Sequence, residues 1–112
     1  MDCLFCKIAA GEIPSTKIYE TENVYAFADI APQAPFHAVI IPKQHIKSAD
    51  EITADNSWLV AEIFEVVAAI SKQEDLEDGY RVVTNCGKDG GQTVGHLHFH
   101  LLGRRALAWP PG

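Results

Sequence analysis

Residues 95–103 read GHLHFHLLG. Three histidines, His96, His98 and His100, alternate here with apolar residues. A period of two belongs to a strand, in which residues i, i+2 and i+4 point to one side. The three imidazoles then share a face with Val94 and Leu102, while Leu97, Phe99 and Leu101 turn toward the core. A helix would scatter the rings around its axis. A solvated sheet face is more commonly made of Lys, Glu or Thr. Three histidines on one face therefore point to metal binding, phosphate binding or nucleophilic catalysis.

Working outward, residues 86–93, CGKDGGQT, form a Gly-rich loop. It reads either as a hairpin turn or as a nest of inward-pointing N–H groups for an anion, with Asn85, Gly91 and Thr93 beside it. It has neither the Walker pattern nor G-x-G-x-x-G opening a helix. Residues 79–85, GYRVVTN, read as a strand. Residues 55–74, DNSWLVAEIFEVVAAISKQE, predict the one long helix. Trp58, Leu59, Ile63, Phe64, Val67 and Ile70 recur near 3.6 residues, leaving Glu62, Glu65, Lys72 and Glu74 to water. Asp55, Asn56 or Ser57 is expected to cap it.

Further upstream, FHAVIIP (36–42) is a buried strand, KIYET and VYAFADI form a hairpin through TEN, and CLFCKIAAGE (3–12) is a short helix stopped at Gly11. The segment APQAP (31–35) cannot lie inside a sheet. The fold class expected is α+β: a five-stranded antiparallel sheet with one long and one short helix, in a single domain over 1–112. One long helix covers one sheet face well. The half-covered other face suggests a partner subunit.

The chain has 112 residues, 47% hydrophobic and 21% charged, with a net charge of −6 and no Lys/Arg cluster. Nucleic acid is an unexpected partner for such a surface. No apolar run approaches a membrane span and no secretion signal is legible, so a cytoplasmic protein with reduced thiols is expected. Cys3-x-x-Cys6 is half of a tetrahedral zinc site, for which His45 and His96 are candidate partners. Two core thiols without metal remain the alternative. A redox pair lacks its usual βαβ setting.

A neutral His98 imidazole is a competent nucleophile toward phosphorus if its other nitrogen keeps the proton. His100 can then contact phosphoryl oxygens or protonate a leaving atom. His37, alone among apolar residues, is either a satisfied core group or a support for that pair.

HLHFHLL resembles the signature of the histidine-triad (HIT) superfamily. FCKIAAGEIPSTKIYE, AFADIAPQAPFHAVIIPKQHI, NCGKDGGQTVGHLHFHLLG and WPPG are similar to its Hint branch and cover nearly the whole chain in order. The resemblance implies hydrolysis of purine nucleoside 5′-phosphoramidates through a nucleotidyl-histidine. In that reading His98 is nucleotidylated, with His100, His96 and His37 as the remaining active-site histidines. Asn85 and Thr93 fall on phosphate contacts and Asp29 on the ribose carboxylate. Phe5, Ile8, Ile13, Phe27 and Ile30 fall on the base pocket. No metal is implied for the chemistry. A structural zinc on Cys3, Cys6, His45 and His96 is implied by some relatives, and would make His96 a ligand.

The resemblance also implies a homodimer with a continuous sheet, Trp109 reaching the partner's pocket. Gly95 departs from the pattern, which usually has a larger residue there; a glycine in a strand suggests a bulge or a close backbone approach. A dinucleoside polyphosphate hydrolase and a non-catalytic nucleotide-binding scaffold stay open as other functions.

Overall fold

The two hydrophobic periods of the sequence resolve into one sheet with a helix on each side. The computed structural model describes residues 2–112. In chain order they form helix α1 (Leu4–Ala9), strands β1 (Lys17–Glu20), β2 (Val24–Ala28) and β3 (Phe36–Pro42), helix α2 (Ser57–Gln73), and strands β4 (Tyr80–Val83) and β5 (Phe99–Gly103). The sheet order is β1-β2-β3-β5-β4 and every pairing is antiparallel.

Alternation along β2, β3 and β5 divides the interior in two. Ala26, Ala38, Ile40, Phe99 and Leu101 point to α2, which buries Leu59, Ile63, Val66, Val67 and Ile70 against them. Tyr25, Phe27, Val39 and Ile41 point the other way, where α1 lays down Phe5 and Ile8. The second face is thus partly covered, by the short helix.

The buried stripe of α2 differs from the expected one. Trp58 and Phe64 are half exposed, and Val66 is buried in their place. At 100° per residue, positions 59, 63, 66, 67 and 70 fall within one quadrant or so, while 58 and 64 lie on the flanks. Glu62 is also not simply solvated: its carboxylate accepts from Thr21 Oγ1 at 2.6 Å and Asn23 Nδ2 at 3.2 Å, bracing the β1–β2 turn. Asn56 occupies the N-cap position of α2 but does not cap with its side chain. Its Oδ1 instead accepts from the Thr53 amide and its Nδ2 donates to the Glu51 carbonyl.

The histidine strand is shorter than the alternation suggested. β5 begins at Phe99, so His96 and His98 lie in the segment that leads into it, which bends at His96. There the backbone is tied point by point rather than by a ladder. The Leu97 amide donates to the Ile46 carbonyl and the Thr84 hydroxyl donates to the His98 carbonyl at 2.8 Å. The sidedness survives: Leu97, Phe99 and Leu101 are in the α2 core and the histidines face away. That face is covered, not solvated, since His96 and His98 are both buried. No helix among the described residues is long and apolar enough to cross a membrane.

Candidate active site

The register of the sheet decides which histidines meet. Val39 pairs with His100 and His37 with Leu102, so His37 and His100 are diagonal neighbours on one face. Their Nε2 and Nδ1 lie 2.8 Å apart. Asp29, just past β2, is held by its amide's bond to the His37 carbonyl at 3.0 Å. Its Oδ2 is 3.3 Å from His37 Nε2 and 3.9 Å from His100 Nδ1.

The proton positions follow from the donors around these rings. The Gln33 amide donates to His37 Nδ1 at 3.0 Å, so that nitrogen carries a lone pair and the proton sits on Nε2. His37 Nε2–H then donates to His100 Nδ1, which leaves the His100 proton on Nε2. Burial pushes both His37 and His100 below the ordinary imidazole range, with the Asp29 carboxylate opposing, and for His100 the neighbouring His98 and His37 push the same way as burial. Both rings are therefore neutral at pH 7. Although Asp29, His37 and His100 lie close enough to frame a metal, a ring whose Nε2 carries hydrogen has no lone pair there to give.

His98 has the opposite arrangement. Its Nδ1 donates to the His96 carbonyl at 2.7 Å, leaving Nε2 as an unprotonated acceptor. Among the described residues no buried side-chain nitrogen lacks a partner, so this Nε2 is reachable from outside. Phe5 packs edge-on against the ring at 5.0 Å and fixes its plane. The site thus presents a lone pair on His98 beside an N–H on His100, with ring centroids 5.1 Å apart.

Both histidines line a cavity of about 330 Å³. It is also walled by Asp29, Phe5, Ile8, Ile13, Phe27, Ile30, Asn85 and Thr93. Leu4, Pro14, Val39 and Val94 join them unannounced, although Val94 shares the parity of the histidines. Ile30 stands at the mouth, fully exposed. The mostly apolar wall with a few convergent polar groups suits a flat heterocycle bearing a charged tail. Trp109 does not line this cavity and is 81% exposed.

Gly91 lies in a neighbouring depression with Lys47, Gly87 and Lys88. Three of the loop's amides are used internally. Gly87 N–H donates to Gln92 Oε1, Gln92 N–H to the Gly87 carbonyl, and Gly91 N–H to the Lys88 carbonyl. Gln92 Nε2 ties the loop to the carbonyls of Lys47 and Val94. Gly90 is the position where a side chain would force the backbone to shift, since a Cβ there would meet the Cys86 carbonyl oxygen. Gly95, by contrast, faces open space and marks no close approach.

Behind the cavity, Cys3, Cys6, His45 and His96 converge, their donor atoms all within 4.8 Å of one another. Cys3 is the N-cap of α1 and its sulfur accepts the Cys6 amide at 3.3 Å, so the C-x-x-C spacing brings both sulfurs to one helix end. His96 Nε2 donates to the Pro42 carbonyl at 2.8 Å, which turns an unprotonated Nδ1 to the sulfurs. Sulfur–nitrogen separations are 3.3, 3.3 and 3.5 Å. Zinc–sulfur and zinc–nitrogen bonds of about 2.3 and 2.0 Å at tetrahedral angles require about 3.5 Å. Burial, with the Cys3 sulfur alongside, pushes the Cys6 thiol above its ordinary value. A bound cation would reverse that, so the donor set fits zinc in number, type and spacing.

The family pattern described as "HIT domain" matches residues 10–107. A HIT-like protein of Synechococcus elongatus is 52% identical over 111 residues, covering 99% of this chain and 97% of that protein. A 14 kDa zinc-binding protein of Zea mays is 48% identical over 111 residues, covering 97% of this chain and 87% of its own length. The crystal structure of a HIT family hydrolase from Legionella pneumophila superposes with a TM-score of 0.97 at 51% identity, covering 99% of this chain and all of that one.

Proposed function

The chain belongs to the HIT family, and we propose that it hydrolyses the P–N bond of purine nucleoside 5′-phosphoramidates. The observation that carries the reading is the tautomer pair at the cavity. His98 Nε2 has a lone pair, because Nδ1–H is committed to the His96 carbonyl, and His100 offers an N–H beside it. The L. pneumophila relative, named a hydrolase, supports the hydrolytic class.

In the first step His98 Nε2 forms a bond to phosphorus and the P–N bond breaks. The amine leaves with a proton taken up from solvent. Positive charge then grows on the His98 ring, 2.7 Å from the His96 carbonyl that accepts its Nδ1–H. This fixed dipole needs no reorganisation as the charge develops. His100 Nε2–H donates to the phosphoryl oxygens. In the second step water adds to phosphorus, the P–Nε2 bond breaks and the water's spare proton returns to solvent. The net products are amine and nucleoside monophosphate.

Asp29 accepts from the ribose hydroxyls, Asn85 and Thr93 hold phosphate oxygens, and Phe5, Ile8, Ile13, Phe27 and Ile30 surround the base. Cys3, Cys6, His45 and His96 hold a structural zinc, a reading supported by their geometry and by the name of the Z. mays relative. The ion would fix the His96 backbone on which His98 leans, and takes no part in the chemistry. Two copies pair through the open edge of β4, and the exposed Trp109 serves the second copy's cavity rather than its own.

The test is rapid quenching with adenosine 5′-phosphoramidate labelled at phosphorus. A labelled nucleotidyl-enzyme is expected before steady state, mapped to His98. A burst without label on His98, or turnover confined to P–O–P substrates, would overturn the reading.

A further inference from the structure

Arg105, exposed in the C-terminal segment, has no place in the chemistry above, yet it is bonded into the site's hydrogen-bond chain. Its Nη2 and Nε donate to the Gln33 carbonyl at 3.0 and 3.3 Å. The amide of the same Gln33 donates to His37 Nδ1. Gln33 lies between Pro32 and Pro35, which have no N–H to anchor the segment. Its other hydrogen bonds are local, from the Ala31 amide to Asp29 Oδ1 and from Gln33 Nε2 to the Ala31 carbonyl. Among the described residues, Arg105 supplies the hydrogen bonds that tie this segment to a distant part of the chain.

We propose that Arg105 is a positioning residue: by clamping the Gln33 carbonyl it holds the amide that keeps the His37 proton on Nε2, and so keeps the His100 proton on the nitrogen facing the cavity. The forked geometry matters, because two donors of one rigid guanidinium converge on the carbonyl oxygen and restrain it more than a single donor would. Without the clamp, Gln33 can turn its amide away and His37 can carry its proton on either nitrogen. His100 then loses its defined donor in the same step. Asp29 keeps its amide's bond to the His37 carbonyl, although its Oδ1 also accepts from the Ala31 amide of this segment. The larger effect falls on turnover, because the donor that is lost is the one His100 offers to the reacting phosphate.

The inference rests on the roles proposed for His98 and His100, and its test separates the two. Nitrogen-15 spectra of the histidine rings are recorded for the wild type, Arg105→Met and Arg105→Lys. The wild type should show His37 with bare Nδ1 and protonated Nε2. Arg105→Met should show the two nitrogens averaged, and Arg105→Lys, keeping one donor, should recover most of the wild-type pattern. With the phosphoramidate, Arg105→Met should lower kcat about tenfold with KM within about twofold, an effect of misplacement rather than lost contact. An unchanged His37 pattern in Arg105→Met overturns the proposal, as does a changed pattern with unchanged kcat. If the wild type itself fails to turn over P–N substrates, the proposed function falls, and the His37 spectrum alone then decides the role of Arg105.

Discussion

On the α2 side of the sheet, Ala38, Ile40, Phe99 and Leu101 meet an unbroken apolar helix stripe. On the other side, the residues between them, His37, Val39 and His100, meet a six-residue helix, a cavity and a cluster of thiols. Both faces come from the same alternation along the same strands. The first is filled by packing alone, where any close-fitting hydrocarbon serves. The second is filled by groups whose lone pairs and protons are assigned one by one. Stability and chemistry are thus separated by a single residue of register, and substitutions on the two faces should fail in different ways.

The sharpest break is expected at His98. His98→Ala should lower turnover by about 10⁴-fold or more, because the attacking nitrogen is gone. The fold should persist, measured by circular dichroism and a reversible urea melt. Loss of folding, or retained turnover, would erase the distinction between the faces. Next in size is the opposite face. Ile40, with no exposure, becomes a cavity in Ile40→Ala, at a cost of about 2–5 kcal/mol in the urea melt. The folded fraction should keep its kcat.

The thiol cluster joins the two behaviours. Removing zinc with a chelator, or Cys3→Ser, should lower stability by about 3 kcal/mol, as ligand linkage predicts for an ion well above its dissociation constant. Atomic absorption should report one zinc per chain before treatment. A chain without metal that melts at the same point as the treated one would reduce the cluster to packed thiols.

A smaller effect comes from protonation. Burial holds His37 and His100 below the ordinary imidazole range. As pH falls through about 6.5, the unfolded chain takes up protons that these rings refuse, so stability declines toward acid. Each such ring contributes a slope of up to about 1.4 kcal/mol per pH unit between its unfolded and folded values. His37→Gln should flatten the slope by about one proton, read from urea melts between pH 7 and 5. A parallel slope would mean that His37 titrates normally in the fold.

The sequence made the alternation legible, and with it the sidedness of Leu97, Phe99 and Leu101 and the pairing of long helix with sheet. It did not make strand order or register legible, and these decide that Asp29, His37 and His100 meet. His37 was therefore ambiguous as a lone residue among apolar ones. The roles of Gln33 and Arg105 were invisible for a different reason: they act through a backbone amide and carbonyl, which every residue carries. The Gly-rich loop stayed open between turn and nest because glycine content announces freedom without saying how it is used. Here Gln92 closes the loop, and a single glutamine has no pattern that distinguishes it from a solvated one.

Gly95 supplies the smallest and most discriminating comparison. It sits directly before the three histidines, where a strand glycine suggested a bulge or a close approach. A Cβ built there meets nothing within 4 Å, and the backbone is outside the left-handed region. The residue is exposed, and the next residue, His96, is held by the Pro42 carbonyl and the sulfurs rather than by anything Gly95 provides. Gly95→Ala should therefore leave kcat and KM unchanged. It should raise stability by about 0.5 kcal/mol, because alanine narrows the unfolded ensemble at no native cost. Gly90→Ala, only five residues away in sequence, should instead cost stability through its clash with the Cys86 backbone. If the two glycines responded alike, the lead-in to β5 would be a strained element and not the rigid, point-tied segment on which the placement of His98 depends.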